Sequence, residues 1–542
     1  QGRPVIQAGS YGAYVGVLDL VWDPATKTVT SGTARNVAAM AAPAPGSAEE
    51  AAMLAVGNVA TIKAHVDAAL AEAATKGDRG VAQVTADITT AQTKGEWVGG
   101  RYVNTGAATR DDRANESSLA TLVADAFLAA ADGSDVVGGA DIGVINAGGG
   151  LRAELLQAPD GKITYAEANA ILPFVNNIYT VTLTGAQLKT FLEEQWQTDA
   201  DGNRPARPFL ATGVSSNVTY TVNTDVPTAE PCTLEANCGW DDARSHVTSV
   251  SVNGAALDAA KEYKVVTISF LTSGGDNYRV MTQGKDVVDT GLVDRDLWIE
   301  TLMDLSGVAA PDAPATDSIK PSFARSSVVV TNLAPATAPM ASVAVEAGAK
   351  ITATLSRLNL TSLGAVANTD TLSLLLKPSD LTGGNIDFDS FKSKVVGQGP
   401  VTAPDDKAGC AAAGVSAALN EASTGCSKLD VTIPATTTPG EYVLLTAVFP
   451  SETLIWLPVT VREAGGATES STPPTSSTST SASGVSSTSF TLSPTSSSDL
   501  PGTGAQANRA TVAAAWLATI VGLALILIAA QRRGANASNR GL

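Results

Sequence analysis

Phe174, in Leu172-Pro173-Phe174, and Phe270, in Phe270-Leu271-Thr272-Ser273-Gly274-Gly275-Asp276, lie far apart in the chain yet suit one task. Each stands where a loop opens, in the second case from the apolar strand-like run Val266 to Phe270. A ring so placed can leave the core and offer its face to a flat ligand. A base stacked on such rings gains roughly 1–3 kcal/mol, and a carboxylate such as Asp276 can accept hydrogen bonds from both hydroxyls of a ribose. Taken singly, either ring also reads as a core residue, and Gly274-Gly275-Asp276-Asn277 as a tight turn.

Two cationic segments accompany the rings. Arg113-Ala114-Asn115-Glu116-Ser117 leads into Leu119, Leu122, Val123, Ala126 and Phe127 at helical spacing. That spacing puts Arg113 near a helix N-terminus, where a phosphate also prefers to sit. Asn146-Ala147-Gly148-Gly149-Gly150-Leu151-Arg152 comes after the strand-like Ile142 to Ile145, with Gly149 at the centre of the loop. Successive backbone N–H groups and the Arg152 guanidinium can there converge on one anion. Alone, a triple glycine also reads as a turn and an arginine as a solvated surface residue.

In this order and spacing the four segments resemble the C-terminal, substrate-binding domain of the 5′-nucleotidase family. The resemblance covers about residues 83 to 325 and takes in Gly161-Lys162-Ile163-Thr164-Tyr165, Leu183-Thr184-Gly185 and Asn253-Gly254. It implies that Phe174 and Phe270 sandwich the base, Asp276 holds the ribose, and Arg113 and Arg152 hold the phosphate. Two departures stand out. The loop after Ile145 carries one glycine more than the family pattern, which moves Asn146, the base-contacting position, out of register. Val175 stands where the family often has glycine, which would narrow the slot.

The family hydrolyses phosphate esters with two divalent metal ions, held by Asp, His and Asn side chains of an N-terminal metallophosphatase domain that ends after a Gly-His-x-His motif. This sequence has two histidines in 542 residues, His65 in a helical run and His246 after a cysteine-containing loop. Neither has a second histidine at ligand spacing, so no dinuclear centre is expected in this chain. The stretch from Arg3 to Gly12, with Tyr14 to Trp22 as a strand, resembles the family segment just downstream of that motif. The metal-binding domain is therefore expected upstream of Gln1, with recognition and no catalytic residue within the chain.

At the other end Leu500-Pro501-Gly502-Thr503-Gly504 precedes 21 uncharged residues, Ala510 to Ala530, and then Arg532-Arg533. A stretch of that length spans a bilayer as a helix, and the arginines hold the tail on the cytoplasmic side. The pattern resembles the cell-wall sorting signals of Gram-positive bacteria. By that resemblance a sortase cleaves between Thr503 and Gly504 and joins Thr503 to peptidoglycan, the membrane being met only before cleavage. Export needs a signal peptide, which residues 1 to 30 do not resemble.

The net charge of −18 argues against nucleic acid and anionic lipid as partners, so a nucleotide must be drawn by local arginines. Four cysteines pair by proximity as Cys232 with Cys238 and Cys410 with Cys426. In an exported protein two disulfides are expected, each stabilising by on the order of 2–3 kcal/mol.

The expected organisation is multidomain. Residues 1–46 read as a remnant of the metallophosphatase domain and 47–82 as a linker helix and hinge, one helix running from Ser47 to about Thr75. Residues 83–330 form a mixed, layered α/β domain, the nucleotide-binding one. Residues 331–463 read as short strands separated by Gly, Pro and Asn, an all-β sandwich of immunoglobulin-like character. Residues 464–499, rich in Ser, Thr and Pro, form a disordered stalk able to span on the order of 100 Å. Residues 500–542 carry the sorting signal and a transmembrane helix over 510–530. The function expected is the nucleotide-binding part of a wall-anchored 5′-nucleotidase-type hydrolase for extracellular nucleotides. Alternatives are a 2′,3′-cyclic-nucleotide phosphodiesterase with 3′-nucleotidase activity, a UDP-sugar hydrolase, or a non-catalytic surface adhesin.

Overall fold

A computed structural model describes residues 6–9, 12–106, 109–132, 138–198, 205–223, 246–381, 391–415 and 424–463. Cys232 and Cys238, the stalk, Leu500 to Gly504 and the 510–530 span lie outside them. No helix among the described residues is long and apolar enough to cross a membrane.

The chain divides into two units, Gln1–Glu72 and Ala73–Leu542. The first holds an antiparallel hairpin of Tyr14–Asp23 and Thr28–Ala38. The run expected as one helix from Ser47 is two, Ala48–Leu54 and Val59–Gly77. Ser47 caps the first, its hydroxyl accepting from the Glu50 N–H at 3.1 Å. The break falls at Gly57, whose φ of +44° leaves the helical region.

In the second unit a five-stranded sheet runs in the order Gly213–Val214, Ile142–Ile145, Glu262–Ile268, Asn177–Thr184, Lys285–Val293. Ile142–Ile145 is buried throughout and Glu262–Ile268 from Val265 onward, as Val- and Ile-rich central strands tend to be. Helix Ser118–Asp132 covers one face through buried Leu119, Val123, Ala126 and Phe127. It lies so close to Gly143 that a Cβ there would stand 2.0 Å from the Ala124 carbonyl oxygen.

Ile142–Ile145 and Glu262–Ile268 run parallel, while Asn177–Thr184 is antiparallel to the latter, with Ile178 opposite Ile268. The segments after Ile145, after Ile268 and before Asn177 therefore emerge at one edge of the sheet. Three loops distant in sequence meet there because of strand register.

A six-stranded sheet has the order Ala255–Ala256, Val247–Val252, Val218–Val222, Ser327–Ala334, Lys350–Ser356, Cys426–Thr432. The domain boundary expected at 330/331 falls inside its fourth strand, which pairs in parallel with Val218–Val222 and antiparallel with Lys350–Ser356. The α/β part and the all-β part thus share one sheet. A second five-stranded sheet, Val343–Glu346, Thr453–Arg462, Gly440–Phe449, Asp370–Leu376, Val395–Pro400, packs over its C-terminal half. Val328, Leu355 and Val431 meet Leu444, Leu457 and Val459 in the common core. The Cys410–Cys426 disulfide closes the loop before the edge strand Cys426–Thr432.

Candidate nucleotide-binding site

At the convergent edge of the first sheet lies a cavity of about 480 Å³ lined by Arg113, Asn146, Gly148, Gly149, Gly150, Phe174, Asn176, Ile268, Phe270 and Asp276. Ligands in α/β sheets commonly sit beyond the carboxyl ends of parallel strands, and this cavity does so. Phe174 is 58% exposed and Phe270 41%, whereas Phe127, Phe191, Tyr278 and Trp298 of the same domain are fully buried. Both rings are wall, not core.

Local geometry sets each ring. The strand expected to run through Phe270 ends at Ile268, and Phe270 sits in the helical turn Ser269–Thr272. Gly275 seats it, because a Cβ there would come within 2.5 Å of the ring. Asp276 has φ +52° and accepts a hydrogen bond from Asn146 Nδ2 at 2.9 Å. Asn146, although displaced by the extra glycine, is thus a cavity residue that orients the carboxylate. Its Oδ1 is buried with no partner among the described residues, a vacant acceptor at a site of this kind.

Arg113 reaches the cavity with Nε on Asp111 Oδ2 at 2.8 Å, which fixes the guanidinium and leaves its outer nitrogens beside Gly149. Arg152 lies elsewhere. Its Cζ stands 5.6 Å from the centre of the Phe174 ring and its Nη1 donates to the Gly149 carbonyl at 3.3 Å. It is not among the residues that line the cavity, although both Phe174 and Gly149, which it contacts, are. Arg110, which sequence reasoning passed over, braces the glycine loop by donating to the carbonyls of Leu151 and Arg152, each at 3.0 Å, and to Glu154 at 2.7 Å.

Residues 84–283 match the family 5′-nucleotidase, C-terminal domain. This segment is a 5′-nucleotidase C-terminal domain. The chain is 31% identical over 199 residues to the trifunctional nucleotide phosphoesterase protein YfkN of Bacillus subtilis, covering 37% of this chain and 12% of that protein. To the NAD 5′-nucleotidase of Haemophilus influenzae it is 30% identical over 168 residues, 30% of this chain and 25% of the other. To the cell wall protein Lmo0130 of Listeria monocytogenes it is 27% identical over 173 residues, 31% and 18% of the two chains. The chain spans a quarter or less of the length of these relatives.

Two further residues, one of them beyond the matched segment, support the aromatic loops. Asp294, buried and with its carboxyl pushed up by that burial, accepts from Asn176 Nδ2 at 2.9 Å. Glu194, behind the Asp276 loop, accepts from the Val280 N–H at 3.1 Å, and burial raises its carboxyl to about 7. The only sequence sign of the first was the Asn176-Asn177 pair after Phe174; the second left none.

The family implies metal ions, and the two histidines of the chain stand apart in it, one in each unit. His65 is exposed on its helix, and the His246 ring stacks on Trp196 at 4.2 Å. Among the described residues no group of three or more His, Cys, Asp or Glu is placed to hold a metal ion.

Proposed function

We propose that residues 83–330 bind a nucleotide or nucleoside as the recognition part of a 5′-nucleotidase-type phosphoester hydrolase at the surface of a Gram-positive cell. The base lies between Phe174 and Phe270, the ribose at Asp276 and the phosphate toward Arg113. The observation that carries this reading is the meeting of two exposed phenylalanines, a fixed arginine and an oriented carboxylate around one cavity. The names of the relatives agree with the ligand class, and that of Lmo0130 with a cell-wall location.

On this reading hydrolysis belongs to two divalent ions bound by a metallophosphatase domain in the full protein, where they would activate water and neutralise the phosphate. The present residues select the nucleotide and hold it. Calorimetric titration of the chain with AMP and with adenosine should give saturable binding to both, tighter for AMP. No saturable heat with either ligand would remove the proposal. Thr503→Ala should move the protein from peptidoglycan to the membrane fraction, and persistence in the wall would remove the sortase part.

A further inference from the structure

Val175, the residue after the first aromatic, has φ +57°. A β-branched side chain is sterically disfavoured in that left-handed region. Nor does its own burial offset the strain, since Val175 is 45% exposed. The conformation must be imposed from outside, and the next residue shows how. Asn176 donates from Nδ2 to Asp294 Oδ2 at 2.9 Å, and the Asp294 N–H donates back to the Asn176 carbonyl at 2.9 Å. Asp294 has no solvent exposure, and its other oxygen accepts from the Arg295 N–H at 2.7 Å. One residue further, Asn177 is paired with Val293 in the sheet, and its side chain donates to Asp289 at 2.9 Å.

The chain is therefore clamped at Asn176 and Asn177, while the two residues before them, Phe174 and Val175, are exposed. We propose that Asp294, which does not line the cavity, is a positioning residue for the base slot. By gripping Asn176 on both its side chain and its carbonyl, it keeps Val175 left-handed and so turns the Phe174 ring toward Phe270. The slot is preorganised by a buried carboxylate on a neighbouring helix, so the cost of ordering the ring is met before a ligand arrives. This inference rests on the reading that Phe174 stacks on a base.

The test uses the full chain, Asp294→Ala and Val175→Gly. The first removes the side-chain half of the grip and keeps the backbone N–H of residue 294; the second removes the steric demand without touching a buried group. Two readouts are taken: the rate at which chymotrypsin cuts after Phe174, monitored by mass spectrometry, and calorimetric titration with adenosine and with ribose 5-phosphate. Asp294→Ala should speed that cut at least tenfold and raise the adenosine dissociation constant about 5- to 50-fold, with ribose 5-phosphate binding changed less than twofold. Val175→Gly should speed the cut, weaken adenosine about 3- to 10-fold and leave the melting temperature unchanged or higher.

Cleavage at the parent rate in both variants would overturn the proposal, as would equal losses of adenosine and ribose 5-phosphate in a folded variant. Should Asp294→Ala fail to fold, Val175→Gly decides, and parent-like cleavage in it overturns the proposal. Failure of the parent to bind adenosine removes the proposed function instead, and the cleavage comparison still decides whether Asp294 holds the loop.

Discussion

Arg113 and Glu116 are three residues apart, yet they serve opposite kinds of environment. Arg113 stands on the wall of the cavity, its side chain 30% exposed, with one nitrogen committed to Asp111. Glu116 is buried where the α/β part meets the all-β part. It pairs with Arg325 at 2.9 Å and accepts from the Ser326 N–H at 2.8 Å, the Ser327 N–H at 3.2 Å and the Ser327 hydroxyl. Around it the junction is closed by Gln92 N–H to the Thr361 carbonyl, Tyr102 N–H to the Ala365 carbonyl, and Ser118 N–H to the Ser362 hydroxyl.

At the junction the Glu116 carboxylate is met by several donors; at the cavity an exposed ring pair, a partly committed cation and the Asn146 oxygen remain open. A carboxylate met by several donors suits a scaffold, whereas exposed aromatics beside a partly committed cation suit a place kept for a ligand. Glu116 also ties together the two parts that share a sheet. A buried carboxylate requires its cation, and that cation comes from Arg325, just before the shared strand Ser327–Ala334.

The largest effect should therefore come from the junction. Glu116→Ala leaves Arg325 charged and buried without its partner, which should cost about 3–5 kcal/mol of stability, measured by urea denaturation, and should loosen both parts together. Retention of parental stability would show that the shared sheet holds without this pair. Next come the rings. Phe174→Ala and Phe270→Ala should each weaken adenosine by roughly 1–3 kcal/mol, about 5- to 150-fold, while changing stability far less than the roughly 3–5 kcal/mol of a truncated core aromatic. Large stability losses with unchanged affinity would reverse the comparison.

Arg113→Ala should weaken AMP about tenfold while sparing adenosine, because only AMP offers the guanidinium a phosphate. The smallest effect is one of pH. Burial lifts Glu194 from an ordinary 4.5 to about 7, so in the window between those values the unfolded chain loses a proton that the folded chain keeps. The stability contributed is full below about 4.5 and lost as pH rises through about 7. Since the group is not wholly buried, the loss should be on the order of 1–2 kcal/mol. Glu194→Gln, compared with the parent by denaturation at pH 5 and pH 8, should flatten that slope; an unchanged slope would assign it to another group.

Much of the cavity was legible in the sequence. Phe174, Phe270, Asp276, Asn146, Gly149 and Arg113 all line it, since each sits in a short segment whose glycines and prolines announce a loop or, for Arg113, just ahead of a helix. Arg152 was not legible in the same way: its segment is local, but whether a long cationic side chain turns into a cavity or folds back over a ring is decided by what stands opposite. Glu116, Asn176 and Asp294 escaped for a related reason. Their partners lie 209 residues away for Glu116 and Arg325, and 118 for Asn176 and Asp294, so no local spacing records the pairing.

Strands show the same division. The short strands read in residues 331–463 include Asp370–Leu376 and Gly440–Phe449, because strand-like patterning is written residue by residue. Yet Ser327–Ala334 reads as a strand whichever sheet receives it, and the choice depends on backbone partners contributed by Val218–Val222 and Lys350–Ser356. The sequence by itself determined the type of most strands and helices but not all their bounds, as the break at Gly57 and the turn at Phe270 show, together with which residue types stand at the loops and that the acidic chain must rely on local cations. Only the tertiary structure decided that three of those loops share one edge, that two expected domains share one sheet, and that Asp294 grips the chain at Asn176, just beyond the Phe174 ring. Side-chain alternation is a local property of the chain, whereas register and hydrogen-bond completion depend on groups that only folding brings within about 3 Å of one another.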